Sequence, residues 1–260
     1  MDKDMMEFTH IESEALKQIV NEHLSRRPKF SNYFFASLDH IAYYETPSTL
    51  ILKKAFDSFN RIYFLSSDSA ELADCLSQLG ANDIINIPSK KGINEELEAV
   101  LSNGGYSLFE KYERMYHNDI EARGKFDVEL AGFSDVEDIF QLLNDHFNPF
   151  TDTLPNRSEI SELIKQNSIL INRDHQNEKV NGALLLRFEP QKCHIYIWVS
   201  SSNFNESLNL FFNGFNYMAE RGYKKAYLWV RASNKRPRMI YQTLGFQFDG
   251  LVDYTYTKHD

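Results

Sequence analysis

The chain has 260 residues, of which 42% are hydrophobic and 14% aromatic, enough to build the core of one large or two ordinary domains and inconsistent with global disorder. A formal net charge of −9 argues against a nucleic-acid reader, whose footprint is basic, and no stretch approaches the ~18 consecutive apolar residues of a membrane span. The acidic N-terminus lacks the order of a signal peptide, and the two cysteines, Cys75 and Cys193, stand outside any CxxC or zinc spacing, so the expectation is a soluble cytoplasmic α/β protein without a disulfide framework.

From the N-terminus, Ile11, Leu16, Ile19, Val20 and Leu24 keep the spacing of an amphipathic helix. Two β-branched and aromatic runs, 49–55 and 61–66, predict a hairpin. A capped helix then runs to Gly80, a short strand (83–89) is ended by Pro88, a second helix stops at Gly104 and Gly105, and residues 106–116 alternate as a strand. Residues 118–126, charged and with one glycine, are the linker candidate. The second half opens with a strand at 126–132 and a helix with Ser134 as N-cap and Glu137 at capping-box spacing. A loop, a helix at 157–166, three strands (168–174, 180–188 and 193–200) and a long helix over 205–221 come next. The chain closes with a strand over 224–232, a short helix over 235–243 and a final strand. The last six elements repeat the order between 49 and 117, a weak internal repeat of about 140 residues.

Residues 228–246 read LWVRASNKRPRMIYQTLGF. The spacing of Val230, Asn234, Ile240, Tyr241, Leu244, Gly245 and Phe246, at this place in the element order, resembles the signature of the GNAT superfamily of acyl-CoA-dependent N-acyltransferases; Pro237 stands where that family has a small residue. The resemblance covers residues 126–258. It implies an α/β (α+β) protein of tandem GNAT-like lobes, each a mixed, mainly antiparallel sheet flanked by helices: a degenerate GNAT-like domain at 1–120 and a GNAT acyltransferase domain at 126–260. The implied activity moves an acetyl or other acyl group from acyl-CoA, the co-substrate, to an amine of a small-molecule or peptide acceptor, without a metal. In the family the co-substrate lies in a splay between two parallel strands, here 193–199 and 224–231. That places the backbone of Ile197, Trp198 and Val199 and the amides of Asn205, Ser207, Leu208, Asn209 and Leu210 against it, with Asn234, Arg236 and Tyr241 alongside. Tyr241 is then the proton donor to the departing thiolate, because a phenol with a pKa near 10 is close enough to a thiol at ~8.5 to hand over a proton. The alternative for Tyr241 is a core aromatic with a hydrogen-bonded hydroxyl.

The family's Arg/Gln-x-x-Gly-x-Gly/Ala loop is not matched: Phe204, Ser207 and Asn209 occupy its marked positions, and Asn203 with Glu206 has capping-box spacing. Arg231, Lys235, Arg236 and Arg238 either face the CoA phosphates or form a solvated basic face. His194, sharing a strand face with Tyr196, is the candidate general base by its ordinary pKa, or a plain strand histidine. In the loop 146–155, His146, Asn148 and Asp152 are candidates for recognising the acceptor, against simple turn chemistry. The first half has no Asn…Tyr…LGF match and no glycine-rich loop, so it reads as a decayed copy. The rival functions are a GNAT-fold binding or scaffold protein without acetyl-CoA activity, or a transferase using a carrier-protein- or tRNA-borne acyl donor, the latter disfavoured by the acidic charge.

Overall fold

The computed structural model describes residues 6–34, 40–122, 124, 129–149, 151–174, 176 and 178–258. In chain order the elements are β1 (Thr9–His10), α1 (Ser13–Ser25), β2 (Phe30–Ser31), β3 (Ile41–Glu45), β4 (Thr49–Ala55), β5 (Asn60–Ser66), α2 (Ser69–Ser77), β6 (Asp83–Ser89), α3 (Glu95–Asn103) and β7 (Tyr106–His117). The chain continues through β8 (Glu129–Leu130), α4 (Val136–His146), α5 (Arg157–Lys165), β9 (Ile169–Arg173), β10 (Val180–Phe188), β11 (Cys193–Ser200), α6 (Phe204–Glu220), β12 (Ala226–Arg231), α7 (Lys235–Thr243) and β13 (Gln247–Lys258).

The helix starts obey side-chain capping, in which an oxygen accepts one of the backbone N–H groups that the first turn leaves without a partner. Asp68 accepts from the Glu71 N–H, Asn94 from Leu97 and Asn203 from Glu206, while Asn156 and Glu159 form a full capping box. Ser134 does not cap α4. Residues Phe133–Asp135 form a 3-10 turn in which Asp135 accepts the Gly132 N–H (2.8 Å) and pairs with Arg173 (3.0 Å), and Glu137 instead pairs with Arg157 (2.7 Å). A carboxylate with two partners outcompetes the neighbouring hydroxyl. The strand expected at 126–132 is described only from Glu129; its start lies outside the described residues.

The chain divides into two compact units, Met1–Tyr112 with Leu251–Asp260, and Glu113–Gly250. The expected linker 118–126 therefore falls inside the second unit, where Ile120 is buried and donates its N–H to the Lys224 carbonyl (2.9 Å). The end of β13 groups with the first unit, away from the α7 that precedes it.

In the first unit the strands run β1-β3-β4-β5-β6-β13, with β2 added on β5; the β5–β6 pair is parallel and its neighbours antiparallel. Ile51, Ile62, Phe64, Ile85 and Ile87 pack against Leu72, Leu76, Val100 and Leu101 of α2 and α3. On the other face Leu50, Leu52 and Leu65 meet Leu16 and Val20 of α1. In the second unit the order is β7-β12-β11-β10-β9-β8, with β11–β12 parallel and β10–β11, β9–β10 and β8–β9 antiparallel. One face of this sheet packs on α6 through Leu210, Phe211, Phe215 and Met218, and the other on α4 and α5 through Ile139, Leu143, Ile160 and Leu163. Both units are mixed, mainly antiparallel sheets covered by helices on both faces.

Candidate functional site

The parallel strands β11 and β12 hold together only at their start. Cys193 registers with Ala226 and His194 with Tyr227, and among the described residues no further rung is present. Beyond them β11 pairs on one side alone, with β10, and leaves backbone N–H and C=O groups along its other edge. Such groups need partners. The β10–β11 register shifts between Leu185 and Leu186, which face Ile197 and Ile195, so Tyr196 is the extra residue of a bulge. The bulge changes which side chains share a face. Strict alternation puts Trp198 with His194 and Tyr196; the structure puts it in the core cluster of Cys193, Ile195 and Tyr241.

Tyr241 sits at the end of α7 in a ring cluster, with Trp198 at 5.8 Å, Phe211 at 5.7 Å and Phe246 at 5.9 Å between centroids. The Leu244-Gly245-Phe246 close fixes it there. The Phe246 N–H donates to the Tyr241 carbonyl (2.9 Å) and the Gly245 N–H to the Gln242 carbonyl (3.0 Å), the two bonds of a Schellman motif, and the Phe246–Tyr241 ring contact is its hydrophobic clasp. Gly245 has φ +95°, and a Cβ there would stand 2.7 Å from Nε2 of His117. Gly245→Ala is thus expected to lower stability by about 1–3 kcal/mol, read by urea denaturation; an unchanged midpoint would mean that both the backbone and His117 adapt freely.

The Tyr241 ring is 9% exposed, and its hydroxyl makes no hydrogen bond to another described residue. Burial raises its pKa above the ordinary phenol value, so the proton stays on the oxygen throughout the neutral range. Beside it, the Trp198 indole N–H is buried with no hydrogen-bond partner among the described residues. A donor left in that state costs about 1–3 kcal/mol. Cys193 is also in this cluster, and burial pushes its thiol up to about 12, which keeps it protonated at neutral pH.

At the other end, α6 starts with the Asn203 cap (3.1 Å to the Glu206 N–H), and the exposed Phe204 carries the Arg236 guanidinium over its ring at 5.4 Å. Arg236, at the start of α7, therefore stands over the N-terminus of α6, which the macrodipole makes favourable for an anion. Asn234 occupies the N-cap position of α7 but does not cap it with its side chain, leaving that amide for other partners. Ser207, Leu208, Asn209 and Leu210 continue the first turns of α6, with Leu210 in the core. Of the other three cations, Arg231 pairs with Asp152, and Arg238 pairs with Glu113 (2.7 Å) and the Ala232 carbonyl (3.1 Å). Lys235 is exposed.

The other candidate residues have these surroundings. His194 stacks on Tyr227 (4.4 Å, interplanar 2°) at the rung where β11 and β12 are still paired, not beside Tyr241. Burial, helped by Arg187 and opposed by Glu189, pushes its pKa down to about 4, which makes it a weak proton acceptor at neutral pH. Asp152 is engaged by Arg231 and by the Asn148 N–H (3.0 Å), contacts that shape the loop. Nδ1 of His146 lies 3.0 Å from the Leu142 carbonyl of its own helix. Phe150 of that loop is outside the described residues.

No protein-family model matches the chain, and no curated protein matches it. Solved structures do. A GCN5-related N-acetyltransferase from Sphaerobacter thermophilus superposes with a TM-score of 0.58 at 11% identity, over 93% of this chain and 84% of that one. An acetyltransferase of the GNAT family from Colwellia psychrerythraea gives 0.56 at 13%, over 98% and 100%. A tandem GNAT protein from the clavulanic acid biosynthesis pathway gives 0.58 at 9%, over 97% and 98%. The fold is that of the GNAT superfamily. The tandem match fits the two units, each with a parallel strand pair inside a mainly antiparallel sheet. Among the described residues no helix is long and apolar enough to cross a membrane, and no group of three or more His, Cys, Asp or Glu side chains is placed to hold a metal ion.

Proposed function

We propose that the second unit is an acyl-CoA-dependent N-acyltransferase acting on an amine, with Tyr241 as its proton donor. The observation that carries this reading is the Tyr241 hydroxyl, held in a rigid ring cluster beside the opened β11–β12 pair and hydrogen-bonded to no described residue. The residues fit such a co-substrate. The open edge of β11 offers backbone donors and acceptors at Ile197, Trp198 and Val199, the orphaned Trp198 N–H offers one more, Asn234 at the N-cap of α7 has a side-chain amide not used in capping, and Arg236 stands over the start of α6 where phosphates belong. When bound, acyl-CoA supplies an acyl group activated as a thioester.

Tyr241 holds its proton until negative charge develops on the sulfur, then donates it. The desolvation that raises the phenol pKa also raises that of a thiol in the same place, so the pair stays matched. Solvent takes the proton lost by the amine nitrogen and returns one to Tyr241, since burial makes His194 a weak base. The first unit then serves as a non-catalytic partner of this one.

Calorimetric titration with acetyl-CoA, combined with an assay of thiol release in the presence of amines, tests the assignment. Heat without thiol release would favour a binding protein, and absence of both the scaffold alternative, for which the missing glycines and Glu206 at the α6 start are the motivating features. Arg236→Ala is expected to weaken coenzyme A binding by roughly 10- to 100-fold, the worth of a charge-assisted hydrogen bond, with the loss shrinking at high salt. Unchanged affinity would move the phosphates away from α6.

A further inference from the structure

We infer that the first unit contains a second copy of the opened strand pair and that the chain's own residues Phe30–Asn32 fill it, so that only the second unit is free to take a pantetheine-like ligand. The choice of a pantetheine-like ligand rests on the acyltransferase reading of the second unit; the closure itself rests on geometry alone.

The two strand pairs begin alike, with three rungs in the first unit and two in the second. In the first unit Asn60 registers with Asp83, Arg61 with Ile84 and Ile62 with Ile85, and the Asn60 N–H donates to the Asn82 carbonyl (2.8 Å). In the second, Cys193 registers with Ala226 and His194 with Tyr227, and the Cys193 N–H donates to the Lys225 carbonyl (2.8 Å). Each pair is parallel, each is joined by a helix, and each stops pairing after its first rungs. Past those rungs the two units differ. The edge of β11 beyond His194 is paired with no strand among the described residues. The matching edge of β5 is taken by β2, with Phe30 registered on Ser66 and Ser31 on Leu65.

Asn32 completes the closure. It is 3% exposed. Its Nδ2 donates to the Ile62 carbonyl (2.9 Å) on β5 and to the Asn86 carbonyl (3.0 Å) on β6, and its Oδ1 accepts the Phe64 N–H (2.7 Å). One amide side chain thus spans the gap and satisfies three backbone groups that the parting of the strands exposes. An amide is also the functional group that a pantetheine arm presents to such an edge. Phe30, 2% exposed, packs into the core with Phe64 and Leu72 behind the same gap. Backbone groups parted inside a domain must find partners, and here the sequence itself supplies them.

Hydrogen exchange and amide shifts on the full chain test this. In the parent protein the Phe64 amide should be protected without any ligand, and coenzyme A should leave the amides of 62–66 and 85–87 unmoved. In Asn32→Ala the Phe64 amide should exchange roughly tenfold faster or more, while Ile195 and Ile197 in the second unit keep their rates. A Phe64 amide that exchanges freely in the parent, or a coenzyme A response at 62–66, overturns the inference. Both parent measurements stand if the variant fails to fold. Coenzyme A binding nowhere would sink the reading of the second unit, with the exchange of Phe64 still deciding this one.

Discussion

Tyr241→Phe is expected to slow acyl transfer by roughly 10²-fold or more while barely disturbing the fold. The substitution removes one oxygen and keeps the ring, so the contacts with Trp198, Phe211 and Phe246 at 5.7–5.9 Å survive, as do the backbone bonds of the Schellman close. The hydroxyl makes no hydrogen bond to a described residue, so stability should change by less than about 1 kcal/mol. Acyl-CoA affinity should stay within a few-fold, because the proton is needed by the leaving sulfur and not by the bound thioester; the loss then falls on kcat and on kcat/KM alike. Since burial raises the Tyr241 pKa, ionisation of this residue should put no alkaline limb on the rate below about pH 10. Single-turnover thiol release across pH 6–9.5 is the measurement. A phenylalanine variant that matches the parent, with chemistry rate-limiting, reduces Tyr241 to a packing residue.

Much of this site is legible in the sequence because its parts are local. The Leu244-Gly245-Phe246 close demands a residue that accepts positive φ shortly after a helical aromatic, and glycine there announces both the helix end and the tyrosine it positions. The capped starts of α2 and α6 are legible for the same reason. What the sequence hides is set by partners far along the chain. The bulge at Tyr196 depends on the register of β10 and moves Trp198 to the other face, so a strict period of two misplaces it. That Asp152 pairs with Arg231, from β12, is likewise invisible in the loop's own sequence. His194 has an ordinary pKa on paper, and only its burial, with Arg187 brought near it by the fold, shows how far that pKa falls. The two-residue strand β2 has no alternation to read, although its neighbour Asn32 closes the first unit's strand pair. Nor does the sequence tell that the end of β13 leaves α7 to pack with the first unit; a strand that comes after its own helix reads as part of the same domain.

Asp253→Asn is expected to stabilise the first unit at pH 8 by on the order of 3 kcal/mol and to flatten its stability between about pH 4 and 6. Asp253 lies on β13 opposite Pro88, accepts from Nδ2 of Asn86 (3.0 Å) and faces Arg61 and Tyr63; its second carboxylate oxygen is buried with no hydrogen bond among the described residues. Burial pushes its pKa from 3.8 up to about 6, against the opposing pull of Arg61 and of the bonds from Asn86 and Ile87. The fold therefore prefers the protonated acid. Its stabilising share is fully present below pH 3.8, the unfolded value, and is lost as pH rises through about 6. A shift of about two units corresponds to roughly 3 kcal/mol, all of it felt as a cost above pH 7. Asparagine is the neutral isostere, and its carbonyl still accepts from Asn86. Thermal unfolding of parent and variant at pH 4, 6 and 8, with native-state exchange of the β6 and β13 amides to place the effect in the first unit, gives the readout. The difference between the two proteins should grow with pH and level off above about pH 7. A constant difference, or one that grows toward acid, would mean that Asp253 is ionised in the fold and held by Arg61 as an ordinary ion pair.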